Sequence, residues 1–309
     1  MKEIPVVIAF TQNYIVPACT TLQSILSNSR ESRFHIICLL TEPLSSHNQL
    51  TIQKFDSERI RFTFINLDGK LDGIYIDHRY TIAASYRLLL PDILPMYDKV
   101  IYTDCDIIFQ NDLSQIYSNI QLGDNYLAGV LEAPLDFQIP YINSIGCDPQ
   151  YYMNSGFLIM NLRLMREDNL VSKFIEASKV EYLQFPDQDV LNMICKGRIL
   201  ALSPYMNSIR TFFIPSYKYD FLKRYSKNDL EDILAKGNIH YTGGKPWNEY
   251  TLKFESWWKY YFLLPNSIKR LGHVNTKLFW LGKVSNTVIG QLLIKSIQQV
   301  YRKFKSKQS

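Results

Sequence analysis

Apolar residues fall along this chain in short unbroken runs separated by stretches with helical spacing. Residues 4–10 (IPVVIAF), 34–40 (FHIICLL) and 61–67 (RFTFINL) read as strands, and residues 16–28 as a helix between the first two. That alternation predicts a parallel sheet with helices on its faces. A helix is expected through Ala83, Tyr86, Leu89 and Leu90, stopped near Pro91. Further strands are expected at Val100, Ile101 and Tyr102, around Tyr126 to Val130, at 152–162 (YMNSGFLIMNL) and at 198–203. Helical patterns cover about 166–182 and 187–196, the second opened by Pro186 and by Asp187 near the positive helix end. A long, Tyr-rich, irregular segment then leads to 240–248 (HYTGGKPWN), with no repeat, low-complexity tract or linker on the way.

Composition adds a large core: 309 residues at 47% hydrophobic content suffice for one large α/β domain or two smaller ones. The aromatic load, with 21 Tyr and 17 Phe, serves a core or a ligand cleft equally well. Cys19, Cys38, Cys105, Cys147 and Cys195 are scattered and show no CxxC spacing, so neither a disulfide framework nor a zinc site is indicated and a reducing compartment fits. The apolar run near the N-terminus is too short for a signal peptide, and no run reaches the roughly 18 apolar residues of a spanning helix. A cytoplasmic protein is expected.

Charge changes the picture at one end. Beyond Glu255 there is no acidic residue, while ten Lys and Arg follow, leaving residues 1–255 with 24 basic against 29 acidic side chains. An acidic body with a basic tail argues against nucleic acid as a partner. From Leu281 onward, Leu281, Val284, Val288 and Leu292 recur at helical spacing, as do Ile289, Leu293, Ile297, Val300 and Phe304, interleaved with Lys and Arg. An amphipathic helix on the anionic inner face of the cell membrane is expected; a helix packed on the body with a solvated tail is the alternative.

Candidate chemistry sits at 100–113 (VIYTDCDIIFQNDL), where Asp104 and Asp106 follow an apolar strand. Ionised carboxylates beside a core need something cationic to repay their desolvation. Their spacing presents both to one hard divalent ion such as Mg²⁺ or Mn²⁺; a simple turn start is the other reading. Ile108 and Phe109 stand where an EF-hand loop requires an oxygen ligand and a glycine. In HYTGGKPWN, His240 is able to ligate a borderline metal, Gly243 and Gly244 allow backbone N–H groups near a phosphate, and Lys245 supplies a charge. Taken alone, the histidine also reads as a satisfied core residue and the glycine pair as a turn.

These segments, together with SYRLLL (85–90), YMNSGFLIMNL and PDQDVLN (186–192), resemble glycosyltransferase family 8, whose bacterial members include lipopolysaccharide galactosyl- and glucosyltransferases; the resemblance spans roughly residues 5–250. It implies a GT-A fold, a Rossmann-like mixed sheet flanked by helices. It also implies Mn²⁺, with Mg²⁺ as the alternative, held by Asp104, Asp106 and His240 against the diphosphate of UDP-glucose or UDP-galactose. Gly243 and Lys245 match phosphate-contacting positions, and Cys105 lies between the metal-binding aspartates among the nucleotide-sugar contacts. Thr11, Asn13 and Tyr14 match the uridine-binding stretch, although Thr11 and Gln12 replace an acidic pair present in relatives. Arg87, Asn154, Ser155, Gly156, Asp187 and Gln188 match donor-sugar positions, with Asp187 and Gln188 nearest the chemistry, and Glu132 falls near an acidic position facing the acceptor. HYTGGKPW is one residue shorter than the HxxGxxKPW pattern of many relatives.

The implied activity is retaining transfer of a hexose from a UDP-sugar to a hydroxyl of a cell-surface glycan or glycolipid. Gln188 is a poor nucleophile, which favours front-face substitution. The expected organisation is a catalytic domain over 1–255 and a basic, membrane-associating segment over 256–309. Two other readings stand beside it: a haloacid-dehalogenase-type phosphatase, on the strand–DxD pattern, and a noncatalytic membrane-associated sugar-binding protein.

Overall fold

Strand β1 (Ile4–Phe10) is buried along its whole length, because alternate residues enter two different cores. Val6, Ile8 and Phe10 join one, Val7 and Ala9 the other. β2 (Phe34–Leu40) splits the same way, which explains why both read as unbroken apolar runs. The computed structural model describes residues 3–290 and residue 292. Its main sheet adds β3 (Ile60–Asn66), β4 (Lys99–Thr103), β6 (Leu127–Leu131), β7 (Met153–Asn161) and β8 (Ile199–Leu202) in the order β3-β2-β1-β4-β7-β6-β8. A second, three-stranded sheet pairs β5 (Ile107–Ile108) with β10 (Ile239–His240) and β10 with β9 (Ser208–Ile209).

The parallel sheet expected from the alternation holds for β3, β2, β1 and β4. It fails at β7, which runs antiparallel to both β4 and β6. The mixed sheet matches the expectation drawn from the resemblance. Strand order reverses between β1 and β4, so the crevice where open α/β sheets bind ligands lies beyond their carboxyl ends. The turn carrying Thr11 to Tyr14 leaves β1 there, and Asp104 leaves β4.

One core packs helix α1 (Ile15–Asn28) against the sheet; the other is covered by residues 82–94 and by helices including α2 (Pro186–Ile194). Pro91 does not stop a helix: Ile82–Leu89 is a 3-10 helix, and Pro91 sits in the first turn of Leu90–Ile93, where its missing N–H costs nothing. The helix expected over 166–182 is two, Leu162–Glu167 and Leu170–Ala177, because Asn169 adopts a left-handed backbone between them. The segment read as irregular holds helices at Lys218–Arg224 and Lys227–Lys236, the second started by a capping box of Ser226 and Asp229.

Helix α3 (Phe254–Leu263) buries Trp257, Trp258, Tyr260 and Tyr261 in the α1 core, and α4 (Thr276–Ser285) seats Gly282 against the Trp258 ring. The α1 core therefore includes side chains of α3 beyond residue 255. Leu281, Val284, Val288, Ile289 and Leu292 are exposed. Leu293, Ile297, Val300 and Phe304 lie outside the described residues. Among the described residues no helix is long and apolar enough to cross a membrane, and all five cysteines are free.

At the opposite end of the sheet from the crevice, His35 is buried on β2, with Nε2 2.7 Å from Thr63 Oγ1 and 2.9 Å from Arg61 Nη1, and Nδ1 against the Tyr97 hydroxyl. Burial and then the Arg61 charge push its pKa down from 6.5 to about 4, with Glu3 opposing. Above pH 6.5 the imidazole is neutral whether the chain is folded or not. As pH falls from 6.5 toward 4 the unfolded chain binds a proton that the folded one refuses, so stability drops, by a few kcal/mol at most. His35→Gln is expected to flatten that part of the curve. Denaturant midpoints of parent and variant between pH 7 and 4 check it; parallel curves would refute it.

Candidate active site

The DxD turn and the distant histidine meet because of the small sheet. β10 runs antiparallel to β5, placing His240 opposite Ile107, and the Tyr241 N–H donates to the Asp106 carbonyl at 3.1 Å. His240 Nε2 lies 3.3 Å from Asp106 Oδ1 and 3.6 Å from Asp104 Oδ2. One ligand atom from each of the three residues lies within 4.8 Å of the others. The far ring nitrogen, Nδ1, is 3.0 Å from Asn207 Oδ1, itself anchored by the Asn207 amide donating to Asn154 Oδ1 at 2.8 Å. With the Nδ1 proton on Asn207, Nε2 keeps its lone pair facing the carboxylates, the arrangement a metal-binding imidazole needs.

Asp106 is 8% exposed, and among the described residues its Oδ1 has no hydrogen-bond partner. Burial alone would raise its carboxyl, but the Lys245 ammonium outweighs it and holds the group well below the usual carboxylate range. Lys245 pairs directly with Asp106 Oδ2, and that carboxylate keeps the half-buried ammonium protonated against its own desolvation. A buried, ionised carboxylate with an orphaned oxygen facing an imidazole and a second carboxylate fits a divalent cation; a turn start requires none of this. Mixed oxygen and nitrogen donors suit Mn²⁺ better than Mg²⁺.

Arg87, 2% exposed, ties the aspartates to helix α2. Its Nη2 donates to Asp104 Oδ1 at 2.7 Å, its Nε lies 3.2 Å from Asp187 Oδ2, its Nη1 donates to the Ser155 carbonyl, and its guanidinium stacks 4.1 Å above the Tyr102 ring. Burial raises the Asp187 carboxyl; Arg87 pulls it back, and Ser155 Oγ donates to it at 2.9 Å. Gln188 Oε1 accepts from Asn154 Nδ2 and the Ser155 N–H, both at 3.1 Å, while its Nε2 donates to Glu132 Oε1 at 3.2 Å. Burial raises the Glu132 carboxyl, which also accepts from Asn154 at 3.1 Å.

Gly156 admits this convergence. A Cβ there would lie 2.1 Å from His240 Cε1 and 2.8 Å from Asp104 Oδ2. Tyr14 meets Trp247 edge-on at 5.7 Å, which brings the loop after β1 to the HYTGGKPW segment. Gln12 and Asn13 are exposed, and among the described residues the side chains of Thr11, Gln12 and Asn13 make no hydrogen bond to the cluster. The backbone carbonyl of Cys105 accepts from Thr21 Oγ1 at 2.9 Å, and burial pushes the Cys105 thiol up. Gly243 and Gly244 lie against the side chains of Arg210 and Glu249.

Two residues with evident parts here were not legible beforehand. Asn207, in the irregular segment, carries no motif, and only the pairing of β9 with β10 puts it behind His240. Asp189 was visible in PDQD but reads as one more acidic residue; it is fully buried, accepting from the Tyr141 and Tyr152 hydroxyls and the Phe185 N–H.

The same residues lie within a region of known ancestry. The sequence profile of glycosyl transferase family 8 matches residues 5–251. A lipopolysaccharide 1,2-glucosyltransferase of Escherichia coli (strain K12) is 28% identical over 250 residues, 78% of this chain and 71% of that protein. General stress protein A of Bacillus subtilis (strain 168) is 29% identical over 180 residues, 55% of this chain and 61% of that protein. Among solved structures, the galactosyltransferase LgtC in complex with donor and acceptor sugar analogs superposes with a TM-score of 0.73 at 23% identity, covering 87% of this chain and all of LgtC. The fold is therefore GT-A, and with four-fifths of its length inside the profile the chain belongs to glycosyl transferase family 8.

Proposed function

We propose that this chain is a retaining, Mn²⁺-dependent hexosyltransferase that moves glucose or galactose from a UDP-sugar to a hydroxyl of a cell-surface glycan or glycolipid. The observation that carries the reading is the buried, orphaned Asp106 oxygen facing His240 and Asp104 with Lys245 alongside. When bound there, a divalent ion supplies Lewis-acid neutralisation of the charge on the departing diphosphate. Lys245 adds a fixed charge for a phosphate oxygen, with Gly243 in the same loop. Tyr14 offers its ring to the uracil, with Thr11 and Asn13 beside it on the turn.

For the hexose we assign Asn154, Ser155, Asp187 and Gln188, which present amide, hydroxyl and carboxylate groups to a hydroxyl-rich ligand. Arg87, 2% exposed, is tied to Asp104, Asp187 and two backbone carbonyls, so its part is to orient both aspartates. Neither neighbouring aspartate is free to attack: Asp187 is held by Arg87 and Ser155, and Asp189 by two tyrosines. That supports front-face substitution. The acceptor oxygen bonds to the anomeric carbon on the face from which the UDP oxygen departs, and the acceptor proton passes to that oxygen. Glu132, hydrogen-bonded to Gln188 and Asn154, lies on the side assigned to the acceptor.

The exposed apolar residues from Leu281 to Leu292, beside Lys277 and Lys283, support peripheral attachment to the inner face of the cell membrane. Incubation with Mn²⁺ and a panel of UDP-sugars is expected to release UDP from UDP-glucose or UDP-galactose, to stop with EDTA, and to give a product of unchanged anomeric configuration. Phosphate release from phosphomonoesters without UDP release would replace this reading by the phosphatase; neither product would leave the sugar-binding protein.

A further inference from the structure

Beyond the glycine pair of the HYTGGKPW loop lies a second concavity, of about 590 Å³, outside the cluster described above. That volume falls within the roughly 300–1,000 Å³ of small-molecule sites. Its lining includes Arg210, Phe213, Glu249, Tyr250, Lys253 and Glu255. A narrow cleft that shares Arg210 and Phe213 with it is also lined by His240, Gly243 and Gly244.

Its charges are left unspent. Among the described residues the Arg210 guanidinium and the carboxylates of Glu249 and Glu255 make no hydrogen bond or ion pair, and the Lys253 ammonium only overlies the Phe213 ring at 5.4 Å. Lys253 also holds a left-handed backbone, φ 54°, fixed by the Tyr241 hydroxyl donating to its carbonyl at 2.7 Å. Two cations and two carboxylates around one cavity sum to no net charge. A phosphate would meet the carboxylates and an amine the cations, at a cost either way. A neutral polyol uses both kinds of group as hydrogen-bond partners. Tyr250, 55% exposed, and half-buried Phe213 supply apolar faces for the C–H surface of sugar rings.

We infer that this groove binds a neutral oligosaccharide stretch of the acceptor, remote from the hydroxyl that reacts. The assignment rests on the transferase reading for its biological sense and on the groove alone for its chemistry. Saturation-transfer NMR on the whole chain, with neutral tri- and tetrasaccharides of glucose and of galactose as probes, is expected to show binding by at least one of them. The double variant Arg210→Ala/Tyr250→Ala, altering two exposed side chains, is expected to weaken that binding at least tenfold while titration with UDP and Mn²⁺ stays unchanged. Absence of binding by every probe, or binding that survives the double variant, overturns the inference. Loss of UDP binding along with the saccharide overturns it too, since both side chains would then belong to the nucleotide site. Saccharide binding by a wild-type chain that releases no UDP from any UDP-hexose would refute the transferase and leave the groove; UDP release without saccharide binding would do the reverse.

Discussion

Replacing Asp106 by asparagine is expected to weaken Mn²⁺ binding at least 100-fold and to lower kcat/KM for UDP-sugar turnover about 1,000-fold, the upper range for removing one electrostatic contact to a developing charge. The substitution keeps the shape and one acceptor oxygen, removes the charge and turns the other oxygen into an NH2 donor. That charge is what the Lys245 ammonium holds ionised in a buried position, and the orphaned oxygen is what faces the imidazole. The neighbouring Asp104→Asn is a poorer probe. It would strip a partner from Arg87, which is 2% exposed, and breaking a buried pair costs about 3–5 kcal/mol, so a fall in activity would mix with a fall in stability. Lys245, 24% exposed, is able to turn its ammonium to water when Asp106 is neutralised. Calorimetric titration with Mn²⁺, UDP release and a thermal melt, taken together, separate the two effects. Metal affinity and turnover within twofold of the parent would show that Asp106 is no ligand.

The sequence disclosed most of this site because its parts are local. Asp104 and Asp106 sit two residues apart at a strand end, and Asp187 and Gln188 open a helix marked by Pro186. The buried strands were legible for the same reason, since an apolar run of seven residues needs no partner to be recognised. Direction was not legible: nothing within 152–162 distinguishes an antiparallel β7 from a parallel one, because a strand buried on both faces reads alike in either orientation. Asn207 and Asp189 escaped because their parts depend on what lies across a sheet or beneath a helix. Where the core ends was not legible either, because period alone cannot say that Trp257 and Trp258 are core while Val288 faces solvent.

Gly156→Ala tests whether the convergence of Asp104 and His240 is as tight as the geometry requires. Gly156 lies on β7, between β4 and β6, and its carbonyl accepts from the Asp104 N–H at 2.7 Å, so the backbone has no room to retreat. The added methyl would stand 2.1 Å from His240 Cε1 and 2.8 Å from Nδ1 and from Asp104 Oδ2. Neither neighbour yields cheaply, since Asn207 pins the imidazole and Arg87 the carboxylate. The ring has to shift by roughly an ångström, a displacement that typically costs about 100-fold in turnover, and the overpacking should cost about 1–3 kcal/mol of stability. A fall in activity alone would not identify the clash, but its dependence on the imidazole does. In a His240→Ala background the nearest obstacle is gone, so the same Gly156→Ala change should cost markedly less stability than in the parent. Denaturant unfolding of the four proteins in this cycle, parent, two single variants and the double, gives the coupling directly. An equal cost in both backgrounds would mean that the methyl meets something other than His240, and that the approach of the two ligands is looser than the structure shows.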